Sequence, residues 1–292
     1  WHIDIQFART CVCTVRQDRL DELLVLTDDL LNLNVVSIKT LRTFTGKAQS
    51  MASLLFTWRP FISMLWGALY DRSPSTAPSG TVWAKQVLEP LQWIQAFLRM
   101  SCGTVVRTFE CEQYFNRGSE VLLYFDACTS GFGGFITIDN TPMEYTYGVF
   151  TKRDADVLGI TNEQSRAQQG FEALALLIML RLWLWRLTEK RVKIRVRGDN
   201  LGALSLLCRM QPKSSSLQLI AREIALEVGQ CAYAPDLIEH IPGITNTVAD
   251  TLSRHSELGD SFALPNSLRD AKYAYPPDRT DDWWQTMRAT SS

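Results

Sequence analysis

Four acidic residues spread through the chain, Asp126, Glu172, Asp199 and Asp250, each fall where a strand ends or a helix runs beside apolar sequence. Carboxylates gathered without a counter-charge repel one another and raise one another's pKa, so a cluster of them implies a bound cation. Oxygen donors of this kind suit magnesium, which prefers octahedral oxygen coordination. Two such ions about 4 Å apart can clamp the entering and leaving oxygens of a phosphodiester under attack by water. Metal-assisted phosphodiester hydrolysis is therefore the chemistry such a set would carry out.

The elements that must position these acids can be read around them. Asp126 closes the β-type run Glu120-Val-Leu-Leu-Tyr-Phe-Asp126, which Gly131, Gly133 and Gly134 interrupt before Phe135-Ile-Thr-Ile138 resumes it. Asp199 closes Val192-Lys-Ile-Arg-Val-Arg-Gly-Asp199 in the same way. A carboxylate at a strand end next to glycine points out of the sheet edge, where loops leave room for a ligand. Glu172 sits in a long apolar helix, and its neighbours Phe171, Leu174 and Leu177 mark it, rather than Glu163, as the buried acid. Asp250 lies in a helix starting near Asn246 and shares a face with that residue. Each acid also has a plainer role open to it. Asp126 could form a turn, Asp199 could cap the helix that begins at Leu201, and Glu172 and Asp250 could face solvent.

Three β-like runs, 120–127, 134–138 and 144–150, are joined by short loops, with a turn at Asp139-Asn-Thr-Pro142, and must pair as an antiparallel meander. A helix over 164–187, a strand over 192–197, helices over 201–209 and 215–228, a strand over 237–241 and the helix holding Asp250 follow. The order is βββαβααβα, an α/β fold with a mixed five-stranded sheet flanked by helices. Upstream, residues 1–36 mix β-like pattern (Thr10 to Val15) with helical pattern (Leu20 to Leu33). Ser37 can cap a helix in which Ile38, Leu41, Phe44, Ala48, Met51, Leu54 and Leu55 recur at steps of three and four. Pro60 interrupts it, a short helix covers 61–69, residues 71–80 read as a linker, and a third helix covers 82–100 despite Pro90. These helices are expected to pack as a small bundle within 37–118. Beyond His255 the pattern dissolves, and residues 256–292 read as an irregular tail.

With 292 residues, 46% hydrophobic and 21% charged, the chain can bury a sizeable core and form more than one unit. No apolar run reaches 18 residues without a charge and no signal peptide is visible, so no membrane association is expected. Seven cysteines without paired spacing, apart from Cys11-Val-Cys13, favour neither a disulfide framework nor a zinc site, which implies an intracellular protein of the cytoplasm or nucleus. A start at Trp1 implies a piece of a longer polypeptide. The net charge of −1 gives no global attraction to nucleic acid, but Arg181, Arg186, Lys190, Arg191, Lys193, Arg195 and Arg197 form a basic run against Glu189 alone. That run reads either as a solvated helix end and strand face or as a phosphate track. Trp183 and Trp185, in an apolar helix, read as core.

Phe125-Asp-Ala-Cys-Thr-Ser-Gly-Phe-Gly-Gly134 resembles the first-strand motif of the RNase H domains of retroelement (LTR- or DIRS-like) reverse transcriptases. Phe171-Glu-Ala-Leu-Ala-Leu-Leu177 is similar to their acidic helix and Gly198-Asp-Asn200 to their third acid. His240-Ile-Pro-Gly-Ile-Thr-Asn-Thr-Val-Ala-Asp-Thr-Leu-Ser-Arg254, the most specific match, is similar to their closing segment. Leu41-Arg-Thr-Phe-Thr-Gly-Lys47, and Trp58-Arg-Pro-Phe61 with Leu65 to Leu69, resemble the thumb and connection that follow the polymerase core. The resemblance spans roughly 37–255. It implies an RNase H-like domain over 119–255 behind a helical thumb/connection region, acting as a ribonuclease H on the RNA strand of an RNA·DNA hybrid with two Mg2+ ions, for which Mn2+ can substitute. Asp126 would bridge both ions, Glu172 and Asp199 would complete one site, and Asp250 the other. His240 would assist proton transfer or product release, though its place at the end of the fifth strand favours a ring that only packs. Asn200 would contact the scissile strand, though an Asn after a capping Asp is also common turn chemistry. Gly131 and Gly133 would allow close backbone approach to the hybrid, whose 2′-hydroxyls can be sensed without reading sequence, and Arg195 and Arg197 belong to the basic run. The polymerase domain of the same polyprotein is the implied partner, within a retroelement replication complex. Asp28-Asp29 lacks the Tyr-x-Asp-Asp form, so no DNA synthesis is expected of this chain. The alternative is an inactive relic, or a connection-type domain that binds template-primer without cutting.

Overall fold

Strand β1 (His2–Gln6) pairs antiparallel with β2 (Thr10–Thr14), and helix α1 (Gln17–Leu31) follows. A short strand, β3 (Val35–Ser37), leads into α2 (Ile38–Ala52), which starts as expected: the Ser37 hydroxyl accepts from the Thr40 N–H at 3.0 Å. Pro60 does not interrupt a helix. It sits in the first turn of α3 (Arg59–Tyr70), where a missing N–H leaves no hydrogen bond unmade. The expected helix over 82–100 is corrected in the same sense. Val82 belongs to strand β4 (Thr81–Trp83), antiparallel to β3, and α4 (Leu88–Leu98) begins later with Pro90 in its first turn. Strand β5 (Val106–Glu110) joins β1 and β2 in a three-stranded sheet. Trp58, Phe61, Trp93 and Phe97 form the aromatic core among the helices. Asp28 is tied to Gln95 of α4 and to Arg99, the residue that caps its end, a structural use of that acid.

This is the computed structural model of the protein, described over residues 2–6, 10–71, 76–111, 115, 119–160, 164–187, 192–212, 214–229 and 238–288. It divides into two compact units, residues 1–109 with 228–230, and residues 110–227 with 231–292. The N-terminal 36 residues thus belong with the helices after them. Residues 72–75 of the expected linker, Glu163, and the side chains of Trp185, Arg186, Lys190, Arg191 and Lys193 lie outside what is described.

The second unit is built on β6 (Ser119–Ala127), β7 (Gly131–Ile138) and β8 (Thr141–Val149), an antiparallel meander. Asp139 and Asn140 adopt φ of 50° and 65°, the left-handed pair that a two-residue hairpin turn requires. Helices α5 (Lys152–Leu158) and α6 (Gln164–Leu187) lead to β9 (Val192–Gly198), parallel to β6 on its other side. Then come α7 (Leu201–Arg209), α8 (Ser215–Gly229), β10 (Ile238–His240) parallel to β9, and α9 (Thr247–Ser253). Helix α10 (His255–Leu258), strand β11 (Lys272–Tyr273) and α11 (Gln285–Arg288) complete the unit. The sheet is six-stranded and mixed, in the order β10-β9-β6-β7-β8-β11, with the expected five strands plus one from the C-terminal segment.

Two helices flank this sheet on opposite faces, and the glycines of β7 show why. A Cβ on Gly133 would lie 2.4 Å from Leu252 Cβ in α9, whereas one on Gly134 would lie 2.8 Å from the Met179 sulfur in α6. Successive strand residues point to opposite faces, so α9 covers one and α6 the other. The glycines therefore lie inside β7 and do not interrupt it, and the strand begins three residues before the expected start. Helix α6 is buried on nearly every side from Gly170 to Leu184, which explains why it is apolar all round.

The segment after His255 is irregular in secondary structure, as expected, yet it packs tightly onto its own unit. Leu268 and Trp284 are fully buried. Arg279 forms a two-pronged pair with the buried Asp154 at 2.8 Å, and buried Glu223 accepts from Arg181 and from the N–H groups of Gln285 and Thr286. Along β8, the carbonyls of Tyr145, Tyr147 and Val149 accept from Ala274 N–H, the Tyr273 hydroxyl and Arg279. All six described cysteines are free, and no described helix is long and apolar enough to cross a membrane.

Candidate metal centre

Asp126 and Asp199 reach one another through strand register. The last paired residues of the parallel strands β6 and β9 are Tyr124 and Arg197, and each acid lies two residues further on. Neighbouring parallel strands thus deliver both carboxylates to the same end of the sheet. Glu172 arrives from α6, and one carboxylate oxygen from each of Asp126, Glu172 and Asp199 lies within 4.8 Å of the others. Asp126 and Glu172 are both 5% exposed.

The plainer role open to Asp199 falls away. The residue that caps α7 is Asn200, whose Oδ1 accepts from the Ala203 N–H at 3.0 Å. This leaves Asp199 available to the cluster and commits Asn200 to the turn. Room for Asp199 comes from Gly243, where an added Cβ would stand 2.9 Å from Asp199 Oδ2. His240, at the end of β10, is exposed, and its Nε2 lies 3.1 Å from the Asp199 carbonyl. A carbonyl only accepts, so Nε2 carries the hydrogen, and in the neutral ring Nδ1 is the acceptor.

Asp250 does not join the triad. Its carboxylate accepts from Arg254 Nε at 2.7 Å, one turn along α9, in a pair with both side chains about half exposed. Its charge is nonetheless felt at Asp126. The expected nucleic-acid contacts are placed differently. Gly131 and Gly133 are buried, and the space a side chain would take is filled by Ser253 and Gly148 backbone at the first and by Leu252 and Ser253 at the second, so these glycines admit α9. Arg195 and Arg197 both pair with Glu239 of β10, and Arg197 also donates to the Tyr124 hydroxyl. Arg181, at the start of the basic run, is buried against Glu223, Glu227 and the Trp283 ring. Trp183 is core, as expected, with its indole N–H donating to Glu144.

Three residues that hold the site carried no marked chemistry in the sequence. Gln168, one turn before Glu172 on α6, bridges the Ala127 carbonyl at 2.7 Å and Glu172 Oε1 at 3.0 Å. Ser253 Oγ donates to Asp126 Oδ2 at 2.7 Å, and Gly243 makes way for Asp199. The i, i+4 spacing of Gln168 to Glu172 was the one signal available.

Burial pushes the Asp126 carboxyl up to about 6, assisted by the charges of Asp199 and Asp250, while the Ser253 hydrogen bond acts the other way. Glu172 is pushed up to about 9, first by burial and then by Asp126. Its Oε2 is buried with no hydrogen-bond partner among the described residues. Three converging acids, one with an orphaned buried oxygen and none in an ion pair with a cation among the described residues, fit a hard divalent cation bound through oxygen. The chain matches no protein-family model and no curated protein. The function is accordingly argued from the geometry of the site.

Proposed function

We propose that the second unit is an RNase H-like, metal-dependent endonuclease that hydrolyses the RNA strand of RNA·DNA hybrids. The chain would be the thumb/connection and RNase H portion of a retroelement reverse transcriptase, working beside that protein's polymerase domain. The observation that carries this reading is the triad of Asp126, Glu172 and Asp199, placed by two adjacent strand ends and a buried helix with donor oxygens within 4.8 Å. The sheet supports it too: three antiparallel strands, with two parallel strands added beside the first, is the order the resemblance implies.

Magnesium or manganese ions held by these carboxylates would supply Lewis-acid activation of water and stabilisation of the leaving oxygen. The chain's own contribution is to orient and to exclude water. Gln168 and Ser253 each fix one oxygen of a buried acid, leaving the other oxygen for a ligand. His240 stands exposed with its Nε2 on the Asp199 carbonyl, and would be the group that assists proton transfer or product release.

Cleavage of a labelled RNA·DNA hybrid in magnesium tests the proposal. The wild-type chain should cut only the RNA strand, and Asp126→Asn should reduce the rate by more than about a hundredfold, beyond the effect of losing a residue that merely supports a ligand. A folded chain that binds neither Mg2+ nor Mn2+ would sink the reading. A second reading, hybrid binding without turnover, is favoured by one observation: Asp250 is engaged with Arg254 and away from the triad. Normal hybrid affinity without cleavage at any Mn2+ concentration would select it.

A further inference from the structure

We propose that Ser253 is a positioning residue for Asp126: its hydroxyl fixes one carboxylate oxygen, and so the direction in which the other is offered to a cation. The inference rests on the metal-binding reading of the triad. Ser253 is fully buried and its Oγ stands 2.7 Å from Asp126 Oδ2, the one hydrogen bond to that carboxylate among the described residues. Oγ also lies 2.9 Å from the Asp250 carbonyl, but a hydroxyl has a single proton, and an ionised carboxylate is the stronger acceptor.

Backbone contacts, more than the serine side chain's own packing, set the place of this hydroxyl. The Ser253 carbonyl takes the Cys128 thiol at 3.3 Å and lies 2.6 Å from where a Cβ on Gly131 would stand. The Ser253 nitrogen lies 2.4 Å from where a Cβ on Gly133 would stand. No residue but glycine at either position would let α9 come this close. At the start of the helix, the buried Asn246 donates its Nδ2 hydrogen to the Phe125 carbonyl at 3.1 Å. The helix is thus fastened on either side of Asp126, to the Phe125 carbonyl of β6 and to the thiol of Cys128 just beyond that strand. Gln168 treats Glu172 alike, tying Oε1 and leaving Oε2 unpartnered. Both donors are neutral. They aim the carboxylates without cancelling the charge a cation would need.

The test is calorimetric titration of the full chain with Mn2+ in the absence of nucleic acid, with metal-free thermal unfolding measured alongside. Ser253→Ala should weaken Mn2+ binding by about tenfold, the lower end for a residue that supports a metal ligand. Ser253→Cys, which keeps the shape with a slightly larger atom and offers only a weak donor, should do the same and serves if the alanine variant folds poorly. Leu252→Val loosens the same helix with the hydroxyl in place, and should lower the unfolding temperature while leaving Mn2+ affinity as in the wild type. Wild-type affinity in Ser253→Ala or Ser253→Cys, alongside loss of binding in Asp126→Asn, would overturn the role of Ser253 and leave the triad standing. Equal losses of affinity in Leu252→Val would reduce Ser253 to a packing residue. Absence of Mn2+ binding by the wild type would remove the metal site itself, and the inference with it.

Discussion

The second unit buries acids in two different ways. Asp154 and Glu223, almost fully enclosed, are each answered by an arginine: Arg279 grips the first through two nitrogens, and Arg181 meets the second. Asp126 and Glu172 are as deeply placed, but their hydrogen bonds come from a serine hydroxyl and a glutamine amide. An enclosed charge is expensive to keep out of water unless it is paired. The first two acids meet that cost inside the fold and act as rivets. The other two have no such partner among the described residues and answer the cost by holding their protons more tightly, which a bound cation would displace.

The largest expected effect tests the rivets. Arg181→Ala takes the ion-pair partner at 2.5 Å from the enclosed Glu223, and should lower stability in denaturant unfolding by about 3–5 kcal/mol. Glu172→Gln, by contrast, replaces a carboxyl that has no cationic partner among the described residues and that the folded, metal-free chain keeps protonated near neutral pH. It should leave metal-free stability unchanged or raised, and abolish the stabilisation conferred by Mn2+. Comparable losses in the two variants would erase the contrast between the two kinds of acid.

The next effect is a pH dependence whose sign follows from the raised pKa values. With folded-state values of about 6 for Asp126 and about 9 for Glu172, the folded chain holds protons that the unfolded chain has released. The stability this confers is complete below the ordinary carboxylate range and is lost as pH rises through about 6 and then about 9. Each group can change stability by about 1.4 kcal/mol per pH unit between its unfolded and folded values. Thermal unfolding of the metal-free chain should therefore move to lower temperature from pH 5 to 9, and saturating Mg2+ should flatten the trend. Near neutral pH, metal binding should release about one proton, visible as a dependence of the calorimetric enthalpy on the buffer. The smallest effect belongs to Arg254→Gln. Its half-exposed pair with Asp250 should be worth less than about 1 kcal/mol in metal-free unfolding, and a larger loss would give Arg254 a structural share.

Much of the second unit was legible because its signals are local. Helices 164–187 and 201–209 have the expected bounds, being set by long apolar runs and by a polar cap at Asn200. The meander followed from short loops, and three of the four acids meet because strand ends and a buried helix face bring them together. What failed depended on distant partners. Gly131 and Gly133 looked like a break and a ligand approach, because nothing near them in sequence shows that a helix some 120 residues later needs the space. Arg195 and Arg197 looked available until Glu239 was placed on the adjacent strand. Asp199 was the residue the sequence offered as the cap of the helix at Leu201, and only the geometry of the turn gives that role to Asn200. The C-terminal segment, poor in periodic pattern, is held by pairs such as Arg279 with Asp154 that no local reading reveals.

The alternating carbonyls of Tyr145, Tyr147 and Val149 have a consequence outside the site. A strand at the border of a sheet presents a row of unpaired backbone groups that invites another chain to add itself. In this protein a main-chain N–H, a tyrosine hydroxyl and an arginine from the C-terminal segment occupy that row in sequence. The segment therefore acts as a built-in guard against edge-to-edge association, and a chain shortened before Lys272 should be prone to aggregate even where its acids remain correctly placed.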